Sequence, residues 1–529
     1  MRLNIDDRFN QQLPADPVHE NTRRQVSGAA FSYATPRVPS EPRVLHVAPD
    51  VAEMIGLSVD DTQSDTFRSV FSGAEVLPST KPYAMCYGGH QFGNWAGQLG
   101  DGRAINLVEV EHEAKRWTLQ LKGAGETPYS RTADGLAVLR SSLREHLCSE
   151  AMHHLGVPTS RSLCLLATGD QVLRDVMYDG NPAMEPGAVV CRVAPSFIRF
   201  GSFEILASRG DIDLLRQLAD YTIANFYPEA KAGTKDGYLD FFQSVCQRTL
   251  PMIVHWQRVG FVHGVMNTDN MSIHGDTIDY GPYGWLEGYD ESWTPNTTDR
   301  QHRRYRYGNQ PHIVLWNLYQ LANSLYPLVE EADPLEAILG KFKSNYERDS
   351  LSMRAAKLGL DEVGDGETGD GDKALIAMLE ATLQRTETDM TIFYRLLAQV
   401  PKNSSGDHEK DLLEIVKPAF YTPTDLKGDV LEQWQRWASA YLKRLGESKM
   451  SDIERHKKMN KVNPKYVLRN YMAQLAIDAA EKGDTSVIEE LYELLRHPYD
   501  EQPDQQKWFA KRPDWARHKV GCSMLSCSS

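Results

Sequence analysis

What this sequence lacks narrows it first. No run approaches the roughly 18 consecutive apolar residues that a membrane-crossing helix requires. The opening stretch MRLNIDDRFNQQLP carries acidic residues and has neither the apolar centre of a secretory signal nor the Arg-rich, acid-poor character of a transit peptide. A cytoplasmic location without membrane attachment is the expectation. Cysteine is scarce: Cys86, Cys148, Cys164, Cys191, Cys246, Cys522 and Cys527 are odd in number and scattered. That predicts reduced thiols rather than a disulfide framework, and no Cys or His spacing suits zinc. Cys522 and Cys527 stand apart in the tail GCSMLSCSS, near an end expected to be mobile, and read either as two exposed thiols or as groups with a redox role. Positive charge is in deficit, 58 Lys and Arg against 72 Asp and Glu for a net charge of -14. Such a body repels nucleic acid and acidic membranes, so any anion it binds needs a local basic pocket.

What is there is the composition of a folding chain. With 529 residues, 41% hydrophobic and 25% charged, it has length for two or three domains and a sizeable core. Residues 1–80 mix turn-rich segments with short helical stretches and read as an extension wrapped on a core. Residues 81–205 are strand-rich. In WTLQLK, Trp117, Leu119 and Leu121 alternate with Thr118, Gln120 and Lys122, the pattern of a half-buried strand with a polar face. Apolar residues at 136, 139, 143, 147, 151 and 155 then predict an amphipathic helix that Gly156 stops. AVVCRV, 188–193, reads as another strand. Residues 206–430 are mainly helical, and 431–529 form a helical C-terminal extension that ends in the Cys tail. Two polar breaks interrupt the helical half, DEVGDGETGDGDK at 361–373 and PKNSSGDHEKD at 401–411. The first has the acidity of a calcium loop but not the EF-hand order of ligands. The fold expected is α+β, bilobal and protein-kinase-like, with a strand-rich lobe before a helical one.

The chemistry concentrates in GFVHGVMNTDNMSIHGDTIDYGP, residues 260–282. A kinase catalytic loop reads His, a small or basic residue, Asp, then Asn five positions on, with Asp-aromatic-Gly one hairpin later. His263, Gly264, Asn270 and Asp279-Tyr280-Gly281 fall into place, but the position of the catalytic Asp holds Val265. Asn270 and Asp279 supply the oxygen ligands that magnesium prefers, and His263 reads as structural. Upstream, GQLGDGRA at 97–104 offers glycines that let backbone amides approach phosphates, Lys122 lies on the following strand and Glu145 on the helix after it. Gly loop, strand Lys, helix Glu is the kinase order. Arg192 and Arg199, in CRVAPSFIRFGSFE, add cations suited to gripping phosphate oxygens from a second direction. DRQHRRYRYGNQP, 300–312, lies where a kinase activation segment would be; it reads as substrate-side or regulatory in preference to nucleic-acid binding.

Six motifs in order, YGGHQFGNWAGQLGDGRA, LQLKGAGETPYSRTADGLAVLRSSLREHL, HGVMNTDNMSIHGDTIDYGPYG, QPHIVLWNLYQLA, NPKYVLRNYMAQLAI and the terminal CSS, resemble the selenoprotein O family of pseudokinase-fold protein adenylyltransferases. The resemblance implies ATP bound the other way round from a kinase, so that AMP rather than phosphate passes to Ser, Thr or Tyr of a protein, with UTP and manganese used by some members. It further implies nucleotide contacts from Gly100, Gly102, Arg103, Asp134, Gly135, Arg192 and Arg199, and a phosphate contact from Lys122 paired with Glu145. Magnesium or manganese would sit on Asn270 and Asp279, with Asp269 as proton acceptor. In some members the tail Cys, here Cys527, pairs with a Cys shortly after the Asp-aromatic-Gly; this chain has none between 247 and 521, so any such switch would need Cys522 or another partner. A conventional kinase with Asp269 as base and an inactive nucleotide-binding scaffold are the alternatives, and retention of Lys122, Asn270 and Asp279 argues against the scaffold.

Overall fold

The computed structural model describes residues 1–360, 367–402, 408–522 and 524–526. Its frame is an antiparallel sheet, so the fold is mixed α/β. In chain order the strands are β1 (Phe31–Tyr33), β2 (Arg43–Val47), β3 (Tyr83–Met85), β4 (Gly88–Gln91), β5 (Asn94–Gln98), β6 (Ala104–His112), β7 (Lys115–Lys122), β8 (Ala137–Val138), β9 (Arg161–Arg174), β10 (Ala183–Ala194), β11 (Phe261–Val262) and β12 (Gly284–Trp285). The main sheet runs β1-β3-β6-β7-β10-β9-β2, with β8 on β10, while β4 and β5 form a separate hairpin. The first 80 residues therefore do more than wrap the core: β1 and β2 are the two edges of the sheet.

β7 is central, paired with β6 and β10, and its register sets Lys122 beside Ala104 and Val190, and Gln120 beside Arg192. A central strand covered on both faces has no solvated side. The polar face expected to meet water is instead interior: Thr118 and Gln120 are buried and Lys122 nearly so.

The helix predicted after β8 spans Leu139–His154, with Gly156 beyond it at φ +73, the left-handed conformation in which glycine ends helices. It is not amphipathic. Almost every residue from Leu139 to Met152 is buried, Glu145, His146 and Glu150 included. The sheet covers one side through β9 and β10, and two C-terminal helices, Asn470–Ala480 and Ser486–Arg496, cover the other. Single-element periodicity sees only the first of these partners.

Beyond residue 200 the chain is helical apart from β11 and β12. The 25-residue helix Lys235–Val259 starts on a Thr234 side-chain cap and stops at Gly260 in the left-handed region, delivering the chain into the 260–282 segment. Of the polar breaks, 361–366 and 403–407 lie outside the described residues, but Glu367 onward is the start of a helix, Glu367–Leu383, not loop. No helix among the described residues is long and apolar enough to cross a membrane.

Candidate functional site

Five elements bring charged side chains to one place. β7 ends in Lys122, whose Nζ is 2.6 Å from Glu145 Oε2 on the Leu139–His154 helix. Arg192, on β10, donates from Nε to Glu145 Oε1 at 2.5 Å and from Nη1 to Gln120 Oε1 at 3.2 Å. Its Nη2 lies 2.8 Å from Asp279 Oδ1. Arg199 precedes the helix Phe200–Arg209 and lies over the Tyr87 ring, 4.5 Å from its centroid. Its Nη1 donates both to Asp279 Oδ2 at 2.5 Å and to the Asp269 backbone carbonyl at 2.7 Å. One nitrogen thus ties the Asp-Tyr-Gly segment to the turn that carries Asp269.

That turn, Thr268–Asn270, is 3-10 helical, not the extended loop in which neighbouring side chains point apart. Asn270 donates Nδ2 to the Val265 carbonyl at 2.8 Å, which leaves its amide oxygen to face elsewhere. His263 donates from Nε2 to the Ile278 carbonyl at 2.8 Å and accepts the Val265 amide at Nδ1 at 3.4 Å, so it braces the loop against the segment before Asp279. Val265 itself is buried, 8% exposed. Asp279 adopts φ +58, a conformation unusual outside glycine and least costly for Asp and Asn, with its two oxygens held by the two arginines.

Burial and charge act in opposite directions here. Burial raises a carboxyl, yet Arg199, Arg192 and Lys122 hold Asp279 far below the usual carboxylate range. Glu145 is likewise held low, against its burial, by Arg192 and Lys122. Burial pushes Lys122 down to about 8. Asp269, 7% exposed, is pushed up to about 7 by burial, with Arg199 opposing. Asp269 Oδ1 is buried with neither a hydrogen bond nor an ion pair, while Arg192 Nη2 and Arg199 Nη2 make no hydrogen bond and meet their carboxylates, Asp279 and Asp101, only as ion pairs. A buried carboxylate oxygen without a partner is expensive for a purely structural network; it suits a group that meets a ligand.

The Gly-rich turn between β5 and β6 is built differently from its reading as a cradle of amides. The amide of Gly100 donates to Tyr87 O, that of Asp101 to Met85 O, and that of Gly102 to Gly100 O. A Cβ at Gly100 would run into the Tyr129 ring, and one at Gly102 would lie 2.9 Å from Tyr129 O. The glycines seat the 127–130 segment, and these amides are not available to phosphates. Arg103 does belong to the cluster: burial and the positive charges of Arg174 and Arg192 lower it, while Glu145 and Asp279 oppose. Gly125 N donates to Gly135 O at 3.1 Å, just beyond Lys122. Asp134 accepts both Nη groups of Arg174 at 2.8 Å. Gly135, at φ +70, has no room for a side chain beside the Gly125 carbonyl.

For a divalent cation the donor set fits: the carboxylate of Asp279 keeps one lone pair on each oxygen beyond its arginine contact, the Asn270 amide oxygen is not tied up, and hard oxygen donors are what magnesium and manganese take. A second acidic group, Asp50, Glu150 and His154, is unlike it. Arg161 lies within it, 2.7 Å from Glu150 and 3.2 Å from Asp50, so the place of a cation is filled by a guanidinium. The tail does not present Cys522 as an exposed thiol either. Cys522 is 3% exposed, its carbonyl accepts Asn470 Nδ2 at 2.7 Å, and burial pushes its thiol up to about 11, away from the lowered values of reactive cysteines. Cys527 lies outside the described residues, and the six described cysteines are buried and unbridged.

Three participants were missed by sequence reasoning. Asp101 stands between the two glycines, 1% exposed, with Arg199 Nη2 3.9 Å from it. Gln91, on the β4–β5 hairpin, donates to Asp269 Oδ2 at 3.4 Å, and Tyr87 underlies Arg199. All three fall within YGGHQFGNWAGQLGDGRA, where only the glycines and Arg103 were read for chemistry.

The family model described as protein adenylyltransferase SelO matches residues 18–496. This chain belongs to the SelO family. Among SelO-related proteins, it is 60% identical to the protein nucleotidyltransferase YdiU of Flavobacterium johnsoniae over 527 residues, covering 100% of this chain and 99% of the relative. It is 53% identical to the YdiU proteins of Aromatoleum aromaticum and Rhodopirellula baltica, again across 100% of this chain and 99% of each relative.

Proposed function

We propose that this SelO-family chain is a divalent-metal-dependent protein adenylyltransferase with a bilobal, kinase-like architecture, moving AMP from ATP to Ser, Thr or Tyr hydroxyls. UTP is a second donor in this reading. The observation that carries it is Asp269: a buried carboxylate pushed up to about 7, with one oxygen unpartnered, beside a kinase-type metal pair and in a loop whose usual base position is Val265. Asp269 accepts the proton of the acceptor hydroxyl, the hydroxyl oxygen forms a bond to the α phosphorus, and the bond from that phosphorus to the bridging oxygen breaks, releasing pyrophosphate. A base near neutrality is suited to this work.

Lys122, Arg103, Arg192 and Arg199 bind and orient the triphosphate, with Glu145 fixing Lys122 and Arg192. The Nη2 groups of the two arginines, which make ion pairs but no hydrogen bonds, are the donors on offer. Asp134 and Gly135 shape the pocket at the end of β7, with Gly100 and Gly102 closing the loop behind Arg103. Asn270 and Asp279 would hold the metal, which when bound neutralises phosphate charge and fixes the triphosphate for in-line displacement.

Incubation with ATP labelled on the α or on the γ phosphate tests the reading. Label on protein is expected from the α phosphate only, and only with magnesium or manganese added. Transfer from γ instead would make Asp269 the base of a kinase.

A further inference from the structure

The DRQHRRYRYGNQP segment is not absorbed by the nucleotide site. Arg300, His302 and Arg303 are exposed and Arg304 half-buried. Among the described residues none of them forms an ion pair: Arg303 Nη1 donates to Ser292 Oγ at 3.1 Å, and Arg304 lies over the Trp316 ring, 4.7 Å from its centroid. Asp299 is 1% exposed and accepts the backbone amides of Arg304 at 2.9 Å and Tyr305 at 2.7 Å; burial raises its carboxyl, with these amides and the charge of Arg304 opposing, so it shapes the turn and draws on Arg304, while Arg300 and Arg303 stay at the surface. In a chain of net charge -14, a run of arginines without an ion pair among the described residues is a local excess of positive charge.

This cluster is joined to the turn that bears Asp269. Tyr305 OH donates to Asn267 Oδ1 at 2.6 Å, and the Phe92 amide, at the tip of the β4–β5 hairpin, lies 3.2 Å from Asn267 Oδ1 and 2.9 Å from Tyr305 OH. On that hairpin His90 sits between two indoles, its ring 5.1 Å from Trp95 and 5.4 Å from Trp316, and Trp95 is 40% exposed. Gln91, the next residue, reaches Asp269. The exposed Trp95 and the half-buried Arg304 thus lie on elements that contact Asn267 and the proposed proton acceptor, with the half-buried Trp316 against Arg304, and arginine and tryptophan dominate binding energy at protein interfaces.

We propose that Arg300, His302, Arg303 and Arg304, with Trp95 and Trp316, form the docking surface for an acidic segment of the acceptor protein, so that the hydroxyls modified are flanked by Asp, Glu or phosphorylated residues. This rests on the transfer reading above. A peptide suits the surface better than a nucleic acid does: a short acidic segment carries its charge only where the patch is, whereas a polyanion running past it meets the negative body of the chain.

The test uses the full-length protein and fluorescein-labelled peptides of one sequence, a central Ser flanked either by Glu or by Gln, with a single-stranded RNA octamer as a third probe. Binding is read by anisotropy and transfer by α-labelled ATP. The Glu peptide is expected to bind about tenfold more tightly than the Gln peptide at low salt, the difference vanishing near 0.5 M salt, as screened surface charges require. The double variant Arg300→Gln, Arg303→Gln should lose that preference while keeping its melting temperature and its transfer to the Gln peptide. Equal binding of the two peptides, no measurable binding of either, or RNA binding tighter than the Glu peptide would overturn the assignment. Preferential binding without any α-label transfer would leave the docking surface standing and remove the proposed chemistry; α-label transfer without preference would do the reverse.

Discussion

At Asp269, Asn270 and Asp279, three carboxylate or amide side chains within a short stretch have separable duties. Asp269→Asn keeps size and the Gln91 contact but cannot take a proton. It is expected to lower the transfer rate by about 10² to 10⁴ while ATP affinity, read by calorimetry, stays within a few-fold. Asp279→Ala removes the anion that holds both arginines as well as a metal donor. It should abolish transfer and weaken metal-dependent ATP binding together, and an Asp279→Ala protein with normal transfer would refute the assigned site. Much of this was legible in the sequence, because Lys122, Glu145, Asn270 and Asp279 follow a fixed order with fixed chemistry. Asp101, Gln91 and Tyr87 were not, because each acquires its role only from Arg199 or Asp269, brought from distant parts of the chain.

The Leu139–His154 helix shows the same limit for an element. Its apolar positions at 139, 143, 147 and 151 announced a helix and one buried face, but the opposite face, with Glu145, His146 and Glu150, is polar by sequence and buried by structure. Such groups stay interior only with partners. Glu150 accepts Arg161 Nε at 3.0 Å and Nη2 at 2.7 Å and the Ser162 amide at 2.9 Å. Burial nonetheless raises its carboxyl, with Arg161 opposing. Arg161→Ala is therefore expected to destabilise the protein by about 3–5 kcal/mol, the loss typical when one member of a buried pair is removed, measured by chemical denaturation. An Arg161→Ala protein within about 1 kcal/mol of the parent would mean that Glu150 finds water, as an exposed pair would. The β4–β5 hairpin is the converse case: read as strands and glycines, it gave no hint that its tip is bonded to Asn267.

For the whole molecule, two sets of buried groups oppose each other between pH 4 and 7. His46 and His146 face each other, Nδ1 to Nε2 at 2.8 Å, and burial lowers both, His46 to about 4 and His146 well below its usual value. Below pH about 6.5 the unfolded chain binds protons that the folded pair refuses, so their contribution falls as pH falls. Glu109 is the reverse. It accepts the amides of Arg8 at 2.5 Å and Phe9 at 2.9 Å, and burial pushes it up to about 7. The folded state holds its proton longer, so this contribution is complete below pH about 4.3 and is lost as pH rises through about 7. Glu109→Gln should thus gain in melting temperature relative to the parent between pH 5 and pH 8, whereas His146→Gln should be less harmful at pH 5 than at pH 8. Parallel melting curves for either variant would refute its assigned titration.

A strand-rich first half followed by a helical second half was readable from local pattern, but neither the edge strands β1 and β2 from the first 80 residues nor what closes the molecule was. The helix bearing Glu145 is covered by Asn470–Ala480 and Ser486–Arg496, and Tyr492 OH donates to Asp50 at 3.0 Å, far across the sequence. A chain emerging from the ribosome has Lys122, Glu145, Asn270 and Asp279 in hand well before those helices exist. Until they arrive, one side of the Glu145 helix is open to water and its buried polar face has no cover. The buried setting of Glu145 therefore depends on residues 470–496, so the pairing of Lys122 and Arg192 on it is completed only once that late part of the chain has folded onto the helix.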